Sequence, residues 1–311
     1  MESLRPSVLV VGAGAIGGFY GGKLAQAGAH VSTVCRSDYD IVKDRGFEIK
    51  SRLGDFHFMP EKVIHDAGEY GGYADYVLVG LKVLPQVNMP ELVRPAVGPQ
   101  TAIVLIQNGV EIEGPVAGAF PGNEIISGMA FICVSRPAPG IIHHQDFGRL
   151  TIGNYPTGIS ERTKALGELF EAAGVTCQLT EDAVTARWQK LVWNAPFNPI
   201  SVLGNGVDTR AMLESEESTK LIGEVMEEVC RISKAAGHPL PPSIVRRNID
   251  DTRAMTPYKT SMLLDHEAKR PMEVEAIVGN AVRAARRENV SVPHLETLYA
   301  LLQLVDRQNR L

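Results

Sequence analysis

The chain has 311 residues, 44% hydrophobic and 22% charged, an ordinary balance for a soluble globular protein and enough length for two domains. A formal net charge of -5 and a pI near 5.9 argue against a nucleic-acid binder, whose affinity comes from neutralising phosphates with a basic surface. Cys35, Cys133, Cys177 and Cys230 form neither a C-x-x-C pair nor a dense framework, so they read as reduced thiols in or near the core of a cytoplasmic protein.

From the first residues onward, Ser7 to Val11 is an apolar, β-branched run that enters Gly12-Ala13-Gly14-Ala15-Ile16-Gly17. The run is too short to cross a membrane and lacks the basic flank of a leader. A helical pattern through Phe19, Leu24 and Ala25 follows, then a second strand over His30 to Val34. Further strands are expected at Tyr76 to Leu81, Thr101 to Ile106 and Ile125 to Ala130, with a helix at Pro90 to Val97. Strands alternating with helices imply a parallel sheet covered on both faces.

From Ile132 to Ile152, prolines and glycines punctuate short extended pieces that read as an antiparallel appendage. A helix over Glu161 to Ala173 and a strand over Val175 to Leu179 complete this half. Past Thr180-Glu181-Asp182 strand signals nearly vanish, and helices are expected at Asp182 to Leu203, Ser215 to Ala236, Pro242 to Met255, Glu273 to Asn289 and His294 to Gln308. The predicted organisation is therefore α/β, a Rossmann-type parallel sheet domain over 1–181 followed by an all-α C-terminal domain over 182–311.

The G-x-G-x-x-G of Gly12, Gly14 and Gly17 is informative because it joins a strand to a helix. Gly12 would allow the tight exit, Gly14 the approach of a pyrophosphate, and Gly17 close helix packing on the sheet. The N-H groups of Ala15, Ile16 and Gly17, at the helix start, would face the phosphate. At the end of the second strand stands Arg36, whose guanidinium suits a 2'-phosphate and so NADP. Asp38 and Asp40 are close enough to supply the acid that an NAD site needs instead; the reading favours NADP. Lys82 and Asn108-Gly109 follow later strands, at the sheet edge where such folds bind ligands.

In the helical half, Lys190, Asn194 and Asn198 lie four residues apart in a tract carrying Trp188, Leu191, Val192, Trp193 and Phe197. Helical spacing puts all three polar groups on one face, and three convergent polar groups in an apolar setting suggest a small-molecule site. Pro196 removes one helical hydrogen bond and is expected to kink the segment before Asn198. Glu273, just after Pro271, suits the start of a helix, either as an exposed acid favoured by the dipole or as a site residue.

In sequence order, these motifs resemble the ketopantoate reductase family: the glycine turn, Leu81-Lys82, Gln107-Asn108-Gly109, Lys190-x-x-x-Asn194-x-x-x-Asn198-Pro199, and Ser261-Met262-Leu263-x-Asp265 with Glu273 twelve residues after Ser261. The resemblance implies NADPH-dependent reduction of 2-dehydropantoate to D-pantoate, toward pantothenate and coenzyme A. It implies Lys190 and Glu273 as catalytic residues and Asn108, Asn194, Asn198 and Ser261 as substrate contacts. For NADP(H) it implies the glycine turn, Arg36, Lys82, Asn108 and Glu273.

Such chemistry asks for a hydride donor, an acid for the ketone oxygen, and neutral or cationic donors for the carboxylate. Lys190, its pKa lowered by desolvation, would be the acid; Glu273 would orient it or accept a substrate hydroxyl. The partner is thus a small 2-keto acid, with no nucleic acid, membrane or metal. Adjacent His143 and His144 would point to opposite faces of a strand and make a poor metal pair. Glu111, Glu113, Glu224, Glu227 and Glu228 are expected in solvent, and the helix around Glu214 to Gly237 fits either a homodimer contact or an internal core. The competing readings are a reductase of another 2-keto acid, a 3-hydroxy acid dehydrogenase and a non-catalytic NADP(H) sensor.

Overall fold

Alternate residues of β1 (Ser7–Val11) enter two different cores. Val8 and Val10 join Tyr20, Leu24 and Phe170, whereas Leu9 and Val11 join Val93, Ile103 and Val116. A strand sealed on both faces belongs inside a covered sheet. The structure, a computed structural model, describes residues 5–309 and divides into two compact units. One runs to Lys82 and takes in Val87–Gln107 and Glu113–Ala183; the other takes Val83–Gln86, Asn108–Ile112 and the chain from Val184 onward.

The first unit is built on a ten-stranded mixed sheet. After β1 come β2 (His30–Val34), β3 (Phe47–Ser51), β4 (Phe56–Phe58), β5 (Val63–Ile64), β6 (Tyr76–Val79), β7 (Ala102–Leu105), β8 (Ile125–Ala138), β9 (Ile141–Tyr155) and β10 (Cys177–Leu179). Their order is β4-β3-β9-β8-β7-β6-β1-β2-β5, with β10 beside β9. From β5 to β8 along this order, neighbouring strands run parallel. The chain leaves β1 for β2 on one side and returns to β6 on the other. Strand order therefore reverses at β1, the place where open α/β sheets receive ligands.

Helices α1 (Ala15–Gln26), α2 (Tyr39–Arg45), α3 (Met89–Val93), α4 (Glu113–Ala119) and α5 (Glu161–Ala172) belong to this unit. α5 shows the local logic: the Ser160 side chain accepts from the Thr163 N-H at its start, and Leu166 and Phe170, one turn apart, are buried. Glu113, expected in solvent, is instead buried at the start of α4 and accepts from Ser127 Oγ at 2.6 Å. Glu111 is exposed and pairs with Arg287.

The stretch 132–152 is no appendage of short pieces. β8 and β9 form one long antiparallel hairpin turned at Gly140, where φ is +70°, with register shifts after Phe131, Cys133 and Ser135. β9 then pairs with β3 from Glu48↔Ile141 to Ser51↔His144, so the hairpin carries the sheet onward. The glycines and prolines that read as breaks mark a turn and bulges instead. His143 and His144 do point opposite ways, and His144 is buried, accepting from or donating to Ser51 Oγ at 2.8 Å.

The second unit is helical: α6 (Ala183–Leu203), α7 (Thr209–Glu214), α8 (Glu216–Ala235), α9 (Ile244–Ala254), α10 (Ser261–Glu267), a π turn (Glu275–Gly279), α11 (Asn280–Arg287) and α12 (Pro293–Asn309). α8 buries Ile222, Val225, Met226, Val229 and Ile232, the stripe of an amphipathic helix. α6 is continuous through Pro196, where a kink is expected, and through Pro199. Each proline costs about 3 kcal/mol in an isolated helix. Val192, Ala195 and Phe197, all fully buried in the helical core, offset it by packing.

Glu228 also departs from expectation. It is buried, with both carboxylate oxygens taken by the start of α12: His294 N-H at 3.1 Å, Leu295 N-H at 2.8 Å, and His294 Nδ1 at 2.8 Å. A carboxylate at a helix N-terminus satisfies N-H groups that lack helical partners. Glu224 remains near the surface, where it meets His294 Nε2 at 3.3 Å. Among the described residues, no helix is long and apolar enough to cross a membrane and no cluster of His, Cys, Asp or Glu is placed to hold a metal. All four cysteines are free thiols, Cys230 half-buried and the others buried.

Candidate active site

Each glycine of the first turn has its own geometric reason. Gly12 adopts φ +89°, and a Cβ there would lie 2.6 Å from the Leu81 nitrogen, so β1 exits tightly against the end of β6. A Cβ on Gly17 would lie 2.3 Å from the Gly12 carbonyl oxygen and 3.0 Å from Val10 Cγ1, so only glycine lets α1 sit this close to the strand. A Cβ on Gly14 would meet nothing within 4 Å. That open space, beside a helix start with no side-chain cap, is the room a pyrophosphate needs. The turn therefore fits a dinucleotide.

Arg36 is exposed just past β2. Asp38, the nearer candidate for a ribose-binding acid, is buried and already engaged: it accepts from Arg136 Nη1, from Ser37 Oγ at 2.7 Å and from the Gly140 N-H at 3.1 Å. Burial raises its pKa, but these donors outweigh burial and hold the carboxyl below the usual range. Asp40 is exposed in α2. Lys82 lies half-buried beyond β6, where Gln107 Nε2 donates to the neighbouring Leu81 carbonyl at 2.7 Å.

The helical unit brings together Lys190, Asn108 and Glu273. Lys190 Nζ donates to Asn108 Oδ1 at 2.8 Å, and Asn108 Nδ2 donates to Glu273 Oε2 at 3.0 Å. The second Glu273 oxygen accepts from the Val83 N-H at 3.0 Å. The carboxamide thus stands between cation and carboxylate, using its acceptor on one and its donor on the other. Glu273 is buried, which excludes the reading of an exposed acid at a helix start. Burial drives the Lys190 pKa down; Arg187, one turn earlier on α6, lowers it further, while Glu273 raises it, leaving about 8.

The loop bearing Asn108 is fixed by its backbone. Gly109 has φ +101°, and a Cβ there would lie 2.4 Å from the Ala276 carbonyl oxygen. That carbonyl, within the π turn, accepts from the Val110 N-H at 3.3 Å, and Asn280 Nδ2 donates to the Val110 carbonyl at 2.7 Å. Arg187 Nη1 donates to the Gly109 carbonyl at 3.2 Å.

On the unbroken α6, Asn194 and Asn198 keep the four-residue spacing from Lys190, and both are buried. Ser201 Oγ donates to the Asn198 carbonyl at 2.8 Å and shares a 2.7 Å hydrogen bond with Thr260 Oγ1. Thr260 caps α10, accepting from the Leu263 N-H, and this sets Ser261, exposed, as the first residue of that helix. Sequence reasoning passed over Val83, Arg187 and Arg136. Arg187 was readable, being a cation three residues before Lys190 in an apolar tract; the other two act across large chain separations and leave no local signal.

The chain has relatives. The profile described as ketopantoate reductase PanE/ApbA matches residues 8–157, and its C-terminal counterpart matches residues 182–306. The 2-dehydropantoate 2-reductase of Nostoc sp. is 36% identical over 97% of this chain and 95% of its own length. The chain belongs to the ketopantoate reductase family. The crystal structure of 2-dehydropantoate 2-reductase from Methylococcus capsulatus is 52% identical, with a TM-score of 0.91 and 97% of each chain covered. A ternary structure of D-mandelate dehydrogenase with NADH and anilino(oxo)acetate, 17% identical with a TM-score of 0.90 over 98% of this chain and 99% of that one, shares the fold alone. The α/β architecture with a helical C-terminal region is that of ketopantoate reductase structures.

Proposed function

We propose that this protein reduces 2-dehydropantoate to D-pantoate with NADPH, in the cytoplasm, as a step toward pantothenate and coenzyme A. The observation that carries the reading is the 2.8 Å hydrogen bond from Lys190 Nζ to Asn108, with the lysine pKa brought down to about 8. An ordinary lysine is a weak acid at neutral pH. One near 8 is still about 90% protonated at pH 7 yet gives its proton up far more readily.

The glycine turn of Gly12, Gly14 and Gly17 would hold the pyrophosphate of the dinucleotide, whose reduced nicotinamide would supply the hydride for the ketone carbon. Lys190 then delivers its Nζ proton to the ketone oxygen, which becomes the hydroxyl, and remains as a neutral amine that solvent reprotonates. Asn108 orients the ammonium by holding one of its three N-H groups, and Glu273 orients Asn108 in turn. Asn194, Asn198 and Ser261 bind the carboxylate and hydroxyl of the substrate, being neutral donors that add no repulsion to an anion. Arg36 reads the 2'-phosphate, a role supported by the engagement of Asp38 with Arg136, Ser37 and Gly140.

Relatives named 2-dehydropantoate 2-reductase, at 36% and 52% identity, favour this substrate over other 2-keto acids. The test is steady-state turnover with 2-dehydropantoate and with 2-oxoisovalerate, each with NADPH and NADH. The reading expects 2-dehydropantoate with NADPH to give the highest kcat/KM. A higher value for 2-oxoisovalerate would reassign the substrate, and no turnover with any keto acid would favour a non-catalytic sensor.

A further inference from the structure

Arg187 is the one strongly basic group of α6 that the reaction scheme leaves without a task. It is buried, only 3% exposed, and lies three residues before Lys190 on the same unbroken helix. Residues so spaced share a helix face. Its Nη1 donates at 3.2 Å to the carbonyl of Gly109, next in sequence to the Asn108 that receives the Lys190 ammonium.

Keeping a guanidinium charged in a buried place is costly, and guanidinium groups do not lose their proton in proteins. A fixed positive charge beside a second cation makes the protonated form of that neighbour less favourable. Its planar N-H groups also anchor a carbonyl in a loop that glycine geometry already constrains at Gly109.

We infer that Arg187 is a positioning residue for the proton donor: its permanent charge keeps Lys190 ready to release a proton, and its hydrogen bond to Gly109 holds Asn108 against Lys190. The inference rests on the assignment of Lys190 as the acid. The charged groups acting on Lys190 are Arg187 from its own helix and Glu273 from the segment before the π turn, and they push in opposite directions. Asn108, between them, is neutral.

The test is the pH dependence of kcat/KM for keto-acid reduction, measured on the full chain. Reduction needs protonated Lys190, so the rate falls as pH rises through the Lys190 pKa, giving an alkaline limb near 8 in the native protein. Arg187→Met removes the charge and should move that limb upward by roughly half a unit to one unit. Arg187→Lys keeps the charge, so its limb should stay at the native pH, while its plateau falls because a lysine cannot reproduce the planar contact with Gly109.

If methionine at 187 prevents folding, Arg187→His serves in its place. It is neutral across the limb yet still offers a ring N-H to the Gly109 carbonyl, and it should show the same upward movement. A limb unmoved in both Arg187→Met and Arg187→His, or moved equally in Arg187→Lys, overturns the inference. Lys190→Ala separates the two claims. Should that variant retain turnover, the acid assignment fails; should it lose turnover while the Arg187 variants keep the native limb, only the role of Arg187 fails.

Discussion

Lys190 and Asn108, 82 residues apart in sequence, meet through a 2.8 Å hydrogen bond from the ammonium to the carboxamide oxygen. Asn108 passes the link on to Glu273, so a helix, a short loop and the segment before a π turn define where one proton sits. Removing the donor should be the most damaging single change. Lys190→Ala is expected to lower kcat by about 10²- to 10⁴-fold while leaving the Kd for NADPH within a few fold, read by stopped-flow kinetics and cofactor titration.

Glu273 lies one step further from the proton. Glu273→Gln keeps the shape but loses the negative charge that favours the ammonium, so the Lys190 pKa should fall and the alkaline limb should shift to lower pH. This is the opposite sign to Arg187→Met. An upward shift would show that Glu273 does not act on Lys190 through its charge.

Gly109→Ala probes the backbone beneath the site. The new Cβ would require φ +101° and would stand 2.4 Å from a backbone oxygen, so the loop must move and take Asn108 with it. Turnover should drop at least about tenfold, a misplacement effect of the kind that small shifts near reacting groups produce. Native-like turnover with an unchanged pH profile would mean that the position of Asn108 is not critical.

Arg36→Ala is expected to raise KM for NADPH by about 10- to 100-fold, the value of a lost charge-assisted hydrogen bond or two, and to leave KM for NADH nearly unchanged. An unaltered NADPH to NADH ratio would assign the 2'-phosphate to another residue.

Glu228→Ala addresses stability rather than chemistry. It strips the start of α12 of the acceptor for two backbone N-H groups and a histidine, and should cost about 2 kcal/mol. In thermal melts the variant should unfold about 5 °C lower, with kcat per folded molecule preserved.

What the sequence disclosed follows from how local each signal is. The glycine turn was legible because strand, turn and helix are contiguous, and Gly12 and Gly17 sit where a side chain would collide with the neighbouring backbone. Lys190, Asn194 and Asn198 were legible from spacing on one helix. β3 was overlooked although Phe47 and Ile49 are buried and Glu48 and Lys50 exposed, the alternation a strand requires; five residues gave it little weight. α6 continues past Pro196, where local propensity disfavours helix, because Val192, Ala195 and Phe197 pack into the helical core. Glu113 and Glu228 were misplaced in solvent because their partners, Ser127 and the start of α12, stand on other elements that local periodicity does not reach. Long chain separation hid the linkage through Asn108, which no spacing rule could have supplied.

The pH dependence of kcat/KM for 2-dehydropantoate reduction, native protein beside Lys190→Ala, tests the central claim most directly. The account predicts a native profile flat toward neutral pH that falls about tenfold per unit above pH 8, and a variant lacking both the plateau and that limb. A native profile that stays level to pH 10, or a variant retaining the plateau, would contradict Lys190 as the proton donor.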